Sequence, residues 1–205
     1  MAQTRESILD AAEALVAEGG YANAGMPAVA GRANISTGLI YRYFESKSDL
    51  FDEVFRRAAQ REIDACAAAA DVDLPPRDRV QRVAETFARR ALKGRQLAYA
   101  LLAEPVDATI DAERLHFRIP YRDIFAAIIR DGIKRGEIAE QDADLVATAI
   151  VGGIAETLVG PLSRPPEPER ESALIQGVAR FCVHALGPVA ADAASAHGFQ
   201  EKRDE

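Results

Sequence analysis

Apolar residues recur at helical spacing along most of the chain, and strict alternation of apolar and polar residues is rare. The first predicted helix, residues 4–18, carries one apolar face and ends at the pair Gly19-Gly20. Its face consists of Ile8, Ala12, Leu15 and Val16. This pattern indicates helices from the start of the chain.

Further helical segments follow, separated by glycine, proline and short polar turns. Leu74-Pro75-Pro76 is the clearest break in the first half of the chain. The pattern predicts helices over residues 26–33, 37–44, 47–70, 77–93, 95–104, 107–116, 117–135, 142–159 and 169–186. The fold class is therefore predicted to be all-α, with about nine to ten helices.

A tight turn separates the two short predicted helices, 26–33 and 37–44. Ala30 is small enough for a close helix crossing, and Asn34, four residues on, tolerates a positive φ. Ser36 is placed to cap the second helix, and Ile40 directs an apolar side chain back into a small core. This combination has the spacing of a DNA-binding helix-turn-helix.

Several short motifs lie around this segment, within about the first fifty-five residues. They are Ile8-Leu-Asp-Ala-Ala, Gly20-Tyr21, Val29-Ala30 and Ile35-Ser-Thr-Gly-Leu-Ile-Tyr-Arg-Tyr-Phe44-Glu-Ser-Lys47-Ser-Asp-Leu50. Together they resemble the head of the TetR family of transcription regulators. The resemblance implies a three-helix DNA-binding head with a helix-turn-helix, followed by a helical C-terminal domain for ligand binding and dimerisation.

Carried over by position, the resemblance makes residues 37–43 the recognition helix. Arg42, which replaces a common aromatic residue, has the chemistry to pair with guanine. Lys47 is expected to hold a phosphate, and Arg32 is a further phosphate candidate. The expected DNA-binding residues are Thr37, Gly38, Leu39, Tyr41, Arg42, Tyr43, Lys47 and Arg32.

The charge balance is unusual for a DNA-binding protein, because the formal net charge is -7. Residues 1–50 contain four basic and six acidic side chains. An acidic surface repels phosphate over about a Debye length, so non-specific binding is expected to be weak. Recognition would depend on a specific double-stranded operator and on two copies of the head.

The chain is expected to divide into a DNA-binding domain at residues 1–50, a ligand-binding and dimerisation domain at 51–187, and a tail at 188–205, whose Ala-rich and then charged composition predicts disorder. The last two long helices are apolar on more than one side, so each needs more than one neighbour. The resemblance supplies a homodimer through these helices and hence a pseudo-palindromic operator. The expected interface residues are Val146, Ala149, Ile150, Gly153, Leu174, Val178 and Phe181.

Polar side chains on the middle helices are candidates for a small-molecule pocket, and they are Tyr99, Arg114, His116, Tyr121 and Glu156. Glu104 belongs to the wider set of such polar groups. Arg114, Arg118 and Arg122 share one helical face. If that face is internal, the ligand is an anion such as an acyl thioester or an aromatic acid. If it is external, the arginines pair with Asp111 and Asp123 in solvent.

Other classes of function are disfavoured. The three histidines show no metal-ligand spacing, and no glycine-rich phosphate loop occurs, so neither an enzyme nor a cofactor or metal site is expected. A ligand-independent DNA-binding protein and an activator stay open as alternatives to a ligand-released repressor. Cys66 and Cys182 are interpreted as buried free thiols. The longest apolar stretch, residues 145–159, is interpreted as too short and too polar for a membrane span, and the protein is expected to be cytoplasmic.

Overall fold

The structure, a computed structural model, describes residues 2–188. Within this range it contains nine helices and no strand, which confirms the predicted all-α class. The helices are α1 Ala2–Asn23, α2 Met26–Arg32, α3 Thr37–Ile40, α4 Lys47–Ala70, α5 Pro76–Lys93, α6 Arg95–Leu102, α7 Ala108–Lys134, α8 Ala143–Leu162 and α9 Pro168–His184. Apart from its first residue, the predicted tail lies outside the described residues.

Helix α1 is longer than the sequence pattern predicts, because it continues past the two glycines to Asn23. Gly20 nevertheless has a non-helical backbone, with φ 78° and ψ 173°, and it kinks the helix at that point. This region of φ/ψ space is essentially reserved for glycine. The glycine pair therefore breaks the regular helix, as predicted, without ending it.

Helix α7 replaces the two helices that were predicted over residues 107–135, and that prediction is wrong. Pro120 lies inside α7 and removes one backbone donor. Helical turns continue on both sides of it, and Tyr121 and Phe125 are buried just beyond it. Burial of these side chains offsets the cost of the lost hydrogen bond, which a local pattern cannot reveal.

The chain forms two compact units that are interleaved along the sequence. Of the described residues, the first comprises 2–62, Arg90–Arg118 and Leu158–Pro166, and the second comprises Ile63–Arg89, Ile119–Thr157 and 167–188. Helix α4 thus contributes its first part to one unit and its last turns to the other. The division at residue 50 that the resemblance implies stays a prediction about function.

The core of the first unit joins the head to later segments of the chain. Phe44, Phe51 and Phe55 are almost fully buried there, together with Ala100 of α6 and Ile110 of α7. The second unit has a core of its own on α5, α7, α8 and α9. Its fully buried side chains include Val80, Val83, Phe125, Ile128, Ile129, Ile138, Ile150 and Cys182.

Both cysteines are buried and are not joined in a disulfide, as predicted from the sequence. Desolvation by burial raises the pKa of the Cys182 thiol to about 12. The thiol is therefore protonated at neutral pH, where it acts as a small apolar side chain.

Helix α8 is long and apolar enough, by length and composition, to cross a membrane. The prediction that its apolar stretch, residues 145–159, is too short and too polar for a membrane span is therefore wrong by these two criteria. Core helices of soluble proteins pass the same test, and Ile150 and Ile154 are buried in the second unit while Leu158 is buried in the first. Leu145, on another side of α8, is 66% exposed. The helix therefore offers apolar surface on more than one side.

Candidate nucleic-acid interface

The segment from α2 to α3 has the geometry of a helix-turn-helix. Asn34 adopts φ 54°, and it is the only non-glycine residue in the described chain with a positive φ. Ser36 accepts a hydrogen bond from the backbone N–H of Leu39 at 3.2 Å and caps α3. Ala30 is nearly buried and Ile40 fully buried, so both lie in the core as the spacing predicts.

Helix α3 is shorter than predicted, because it ends at Ile40 rather than at Phe44. The chain continues as a tight turn in which the N–H groups of Tyr43 and Phe44 donate to the carbonyl of Ile40 at 2.8 and 3.0 Å. Phe44 then enters the core, which draws the backbone inward. The recognition segment is thus one turn of α-helix followed by a turn.

The predicted contact residues of this segment differ in their exposure. Gly38 and Arg42 are exposed, and Tyr41 is 52% exposed. Thr37, Leu39 and Tyr43 are half-buried, and Tyr43 packs against the core. Gly38 has no heavy atom within 4 Å of an ideal Cβ position, so the surface there is open to a closely approaching partner.

The cations of the described residues 2–50 are mostly occupied within the protein. Arg5 forms a bidentate ion pair with Glu53, and Arg32 pairs with Glu18 through two bonds at 2.8 and 2.5 Å. Among them, only Arg42 has a side chain with no ion pair or hydrogen bond in the described part of the chain. Arg42 is therefore the cation most available to DNA, whereas Arg32 would have to leave Glu18 to reach a phosphate.

Lys47 lies at the start of α4, where its ammonium group is placed over an aromatic ring. Its Nζ is 3.9 Å from the centroid of Tyr21 and 5.5 Å from that of Phe51. It also donates to the carbonyl oxygen of Tyr21 at 3.4 Å. The cation–π contact and this hydrogen bond together fix the orientation of the Lys47 side chain, which is the predicted phosphate contact.

Ion pairs join α1 to α4 within the first unit. The guanidinium of Arg57 contacts Glu6 at 2.6 Å, Asp10 at 2.7 Å and Glu13 at 3.0 Å. Arg61 also pairs with Glu13. These carboxylates account for half of the acidic residues between positions 1 and 50, so part of the negative charge of the head is neutralised internally.

Two carboxylates outside the head contact it, a role that the sequence pattern does not predict. Glu104, expected near a ligand pocket, accepts hydrogen bonds from the N–H groups of Tyr21 and Ala22. Asp107 accepts from the hydroxyls of Tyr21 and Ser48. The only sequence signal was the presence of two acids in the short α6–α7 connection, which does not identify their partners.

The predicted ligand residues are divided between the two compact units, and three of them lie in the first. Arg114 pairs with Asp111 and donates to the carbonyls of Ala100 and Glu104. His116 is exposed and contacts Glu113, while Tyr99 is half-buried in the same unit.

The remaining two ligand candidates lie in the second unit. The ring of Tyr121 packs edge-on against Phe87 with centroids 5.1 Å apart, and Glu156 is exposed. Of the arginines of α7, Arg122 pairs with its neighbour Asp123 as in the external alternative, whereas Arg114 pairs with Asp111 although its side chain is only 13% exposed. These five positions therefore stay a proposal as a ligand site.

A cleft of about 570 Å³ opens within the first unit. Its lining combines the end of α1, the α5–α6 junction and the segment after α8, and it includes Lys93, Arg95, Arg164 and Glu18. This volume is in the range that holds small molecules. In the described part of the chain, no group of His, Cys, Asp and Glu is arranged to hold a metal ion.

The residues predicted at a dimer interface differ in how far their side chains are exposed. Ile150 and Val178 are buried within the protomer, so they cannot offer surface to a partner. Ala149 and Phe181 are exposed, and the Phe181 ring lies against Gly153, where an added Cβ would come within 2.6 Å of it. Val146 and Leu174 are half-buried. The available apolar surface is thus centred on Leu145, Ala149 and Phe181.

Comparison with known proteins gives two family matches. Residues 8–54 match the profile described as "Bacterial regulatory proteins, tetR family", and residues 73–158 match "Tetracyclin repressor-like, C-terminal domain". A Bacillus subtilis protein named uncharacterized HTH-type transcriptional regulator YhgD is 30% identical over 146 residues, which is 70% of this chain and 76% of that protein.

Two further relatives extend this comparison. The fatty acid metabolism regulator protein of Bacillus subtilis is 26% identical over 74% of this chain and 79% of its own length. The transcriptional repressor KstR of Rhodococcus jostii is 44% identical over 59 residues, covering 29% of this chain and 28% of that protein.

Solved structures have the same fold. The fatty acid degradation regulator FadR from Bacillus halodurans superposes with a TM-score of 0.73 at 19% identity, covering 90% of this chain and 95% of that one. FadR from Bacillus subtilis in complex with stearoyl-CoA gives 0.71 at 21% identity, covering 88% and 96%.

Proposed function

The chain belongs to the TetR family of bacterial regulatory proteins, and on that premise we propose that it is a cytoplasmic repressor released from its operator by a small-molecule ligand. The observation that carries the DNA-binding part is the helix-turn-helix of α2 and α3. Its turn is set by Asn34, its second helix is capped by Ser36, and Ile40 anchors it in the core. Gly38, Tyr41 and Arg42 are left facing outward.

Specific recognition by this head depends on a few groups rather than on bulk charge. Arg42 is available for a bidentate bond to guanine, and Tyr41 and Gly38 allow close approach to the DNA. Because the net charge is -7 and most cations of the head are internally paired, binding to unrelated DNA is weak.

We propose a homodimer formed through the exposed apolar side chains of α8 and α9. Leu145 and Phe181 are 66% and 47% exposed, and large exposed apolar residues on adjacent helices favour a protein interface. A twofold dimer presents two recognition segments about 34–36 Å apart, which fits a pseudo-palindromic operator.

As the ligand class to test first we propose a long-chain acyl thioester. The support comes from the relatives, among which are a fatty acid metabolism regulator and a fold neighbour solved with stearoyl-CoA. Such a ligand releases DNA only through unequal affinity for the free and the DNA-bound states.

The test is a mobility-shift titration of the purified protein on DNA flanking its own gene, at two salt concentrations, with unrelated DNA as competitor. If no flanking fragment binds, sites are selected from random duplexes. Salt-sensitive binding that survives the competitor supports a sequence-specific regulator. Failure on both flanking and selected DNA would contradict it.

The ligand is tested on the same complex. Stearoyl-CoA is expected to weaken operator binding by at least about tenfold, which is within the usual range of allosteric coupling, whereas free coenzyme A is the control and leaves it unchanged. Equal operator affinity in the presence of saturating stearoyl-CoA would contradict the acyl thioester as the ligand class and would not affect the proposed DNA-binding function.

A further inference from the structure

The connection between α6 and α7, residues 103–107, contacts the kinked end of α1. The Glu104 carboxylate accepts the backbone N–H of Tyr21 at 3.0 Å through Oε2 and that of Ala22 at 3.4 Å through Oε1. Hydrogen bonds from backbone donors to a carboxylate are stronger than those between neutral groups. Glu104 therefore binds the main chain that leads from α1 into the helix-turn-helix.

The approach of Glu104 requires Gly20. A Cβ at this position would lie 2.6 Å from Glu104 Oε1 and 3.1 Å from Oε2. The backbone of Gly20 also turns the two amide groups toward the carboxylate, with a φ of 78° that other residues rarely adopt. The Glu104 carboxylate is thus the specific acceptor for the backbone N–H groups that follow the kink in α1.

Asp107 joins the same turn to the start of α4. Its Oδ2 accepts the Tyr21 hydroxyl at 2.5 Å and the Ser48 hydroxyl at 2.8 Å. These two hydrogen bonds hold the pKa of the Asp107 carboxyl below its usual value. Burial, and then the bond to Asp107, raise the pKa of the Tyr21 phenol, so the hydroxyl stays a donor at neutral pH.

Tyr21 carries the contact on to the predicted phosphate-binding side chain. Its ring is buried, packs edge-on against Phe51 at 5.1 Å, and lies under the Lys47 ammonium. Lys47 and Ser48 are neighbours in the first turn of α4. The hydroxyl that fixes the Tyr21 ring on Asp107 therefore also fixes the surface over which Lys47 lies.

The α6–α7 connection is itself held in place. The side chain of Arg114 is only 13% exposed, and it donates to the carbonyl of Ala100 at 2.8 Å and to that of Glu104. These carbonyls belong to the end of α6, where helical partners are lacking. Arg114 thereby ties the end of α6 to α7 and keeps Glu104 in position.

We propose that Glu104 and Asp107, here called the acidic clamp, are positioning residues for operator recognition, which they serve by holding the α1–α2 turn and the start of α4 in the DNA-binding arrangement. The inference rests on the proposed DNA-binding function. Two negative charges beside a DNA-binding head would otherwise only repel phosphate. The clamp and simple repulsion predict opposite effects when the charge is removed.

The experiment compares Asp107→Ala, Asp107→Asn and Tyr21→Phe in the full-length protein, on the operator duplex and on an unrelated duplex, at several salt concentrations. Tyr21→Phe removes the hydroxyl donor while keeping the ring and every charge. Glu113→Gln removes a carboxylate from α7, outside the clamp, and is the charge control, since the one hydrogen bond of the Glu113 side chain to a described residue is to His116.

The clamp predicts that Asp107→Ala and Tyr21→Phe each lower operator affinity at least about fivefold with an unchanged salt slope. The double variant is expected to bind the operator no more weakly than the single variant of lower affinity. Asp107→Asn keeps an acceptor oxygen and loses less affinity. Higher affinity of both Asp107 variants for every duplex would overturn the clamp in favour of repulsion. Additive losses of affinity in the double variant would also overturn the clamp, because Tyr21 and Asp107 would then act independently.

A measurement without DNA separates failure of the clamp from failure of the proposed function. Amide hydrogen exchange at Tyr21 and Ala22 is expected to rise at least about tenfold in Glu104→Ala, with helix content unchanged by circular dichroism. Unchanged exchange would overturn the contact. Absence of operator binding by the unsubstituted protein would overturn the proposed function, and it would be seen before any variant is compared.

Discussion

At the scale of the residue, the predicted DNA-contacting side chains differ in whether they have partners within the protein. Arg32 and Glu18 satisfy each other, and this pairing lowers the pKa of the Glu18 carboxyl. Arg42 has no such partner and is exposed. A cation without an internal acceptor breaks no ion pair within the protein when it binds a base, so Arg42 is the best candidate for base readout.

Replacing Arg42 with alanine is expected to cost about 1–3 kcal/mol of operator binding and to relax preference at one base pair, because a bidentate bond to guanine is lost. The measurement is a titration on the operator and on duplexes with single base changes. Arg82→Ala, at an exposed position in α5, controls for the loss of one charge. The same loss on every duplex would show that Arg42 contacts phosphate instead.

Replacing Lys47 with alanine is expected to weaken binding to all duplexes alike and to lower the salt slope by about one, as for one phosphate contact. Because Lys47 also lies over Tyr21, Lys47→Met is the matched variant that retains most of the aliphatic stem. A normal slope for Lys47→Met would mean that packing, and not charge, makes Lys47 important.

At the scale of the element, short helices are fixed by caps and anchors rather than by length. The four residues of α3 have one side-chain cap, from Ser36, and one buried anchor, Ile40. An isolated helix of this size is unstable in water, so packing of Ile40 and Phe44 must hold it. The kink in α1 is similar, since Gly20 is stable in its unusual conformation through the contacts of Glu104.

Replacing Gly20 with alanine is expected to lower the free energy of unfolding by about 1–3 kcal/mol, the usual cost of this backbone region for a residue with a Cβ. Urea denaturation followed by circular dichroism measures it. Gly31 in α2 has open space around an added Cβ, and Gly31→Ala is expected to raise stability by up to about 1 kcal/mol. A neutral Gly20→Ala would show that α1 can straighten without loss.

At the scale of the whole molecule, the proposed dimer would use the exposed apolar surface of α8 and α9 to bring two heads together. Buried Ile150 and Val178 belong to the protomer, whereas Leu145 and Phe181 are available to a second copy. A single acidic head binds DNA weakly, so the strength of operator binding depends on this association.

Replacing Leu145 with glutamate is expected to dissociate the dimer at micromolar concentration and to weaken operator binding by at least about a hundredfold, because a charge would be buried in the interface. Sedimentation velocity gives the mass. Leu74→Glu adds the same charge at another exposed leucine, outside the helices, and is expected to leave the dimer intact. A dimeric Leu145→Glu protein would locate the interface elsewhere.

The sequence by itself determined features that depend on residues a few positions apart. The positive φ of Asn34, the cap at Ser36, the burial of Ile40 and the extent of α4 follow from local backbone geometry and helical period, and the structure confirms each. The family resemblance added the expected partners, which no local rule supplies.

Only the tertiary structure decided which side chains meet across long separations. Tyr21 and Asp107 are 86 residues apart, and Arg5 and Glu53 are 48 apart. Which apolar side of α8 is buried, and whether α7 continues through Pro120, depended on packing in the same way. An ion pair or a buried face requires the positions of distant segments, and periodicity along one helix carries no information about them.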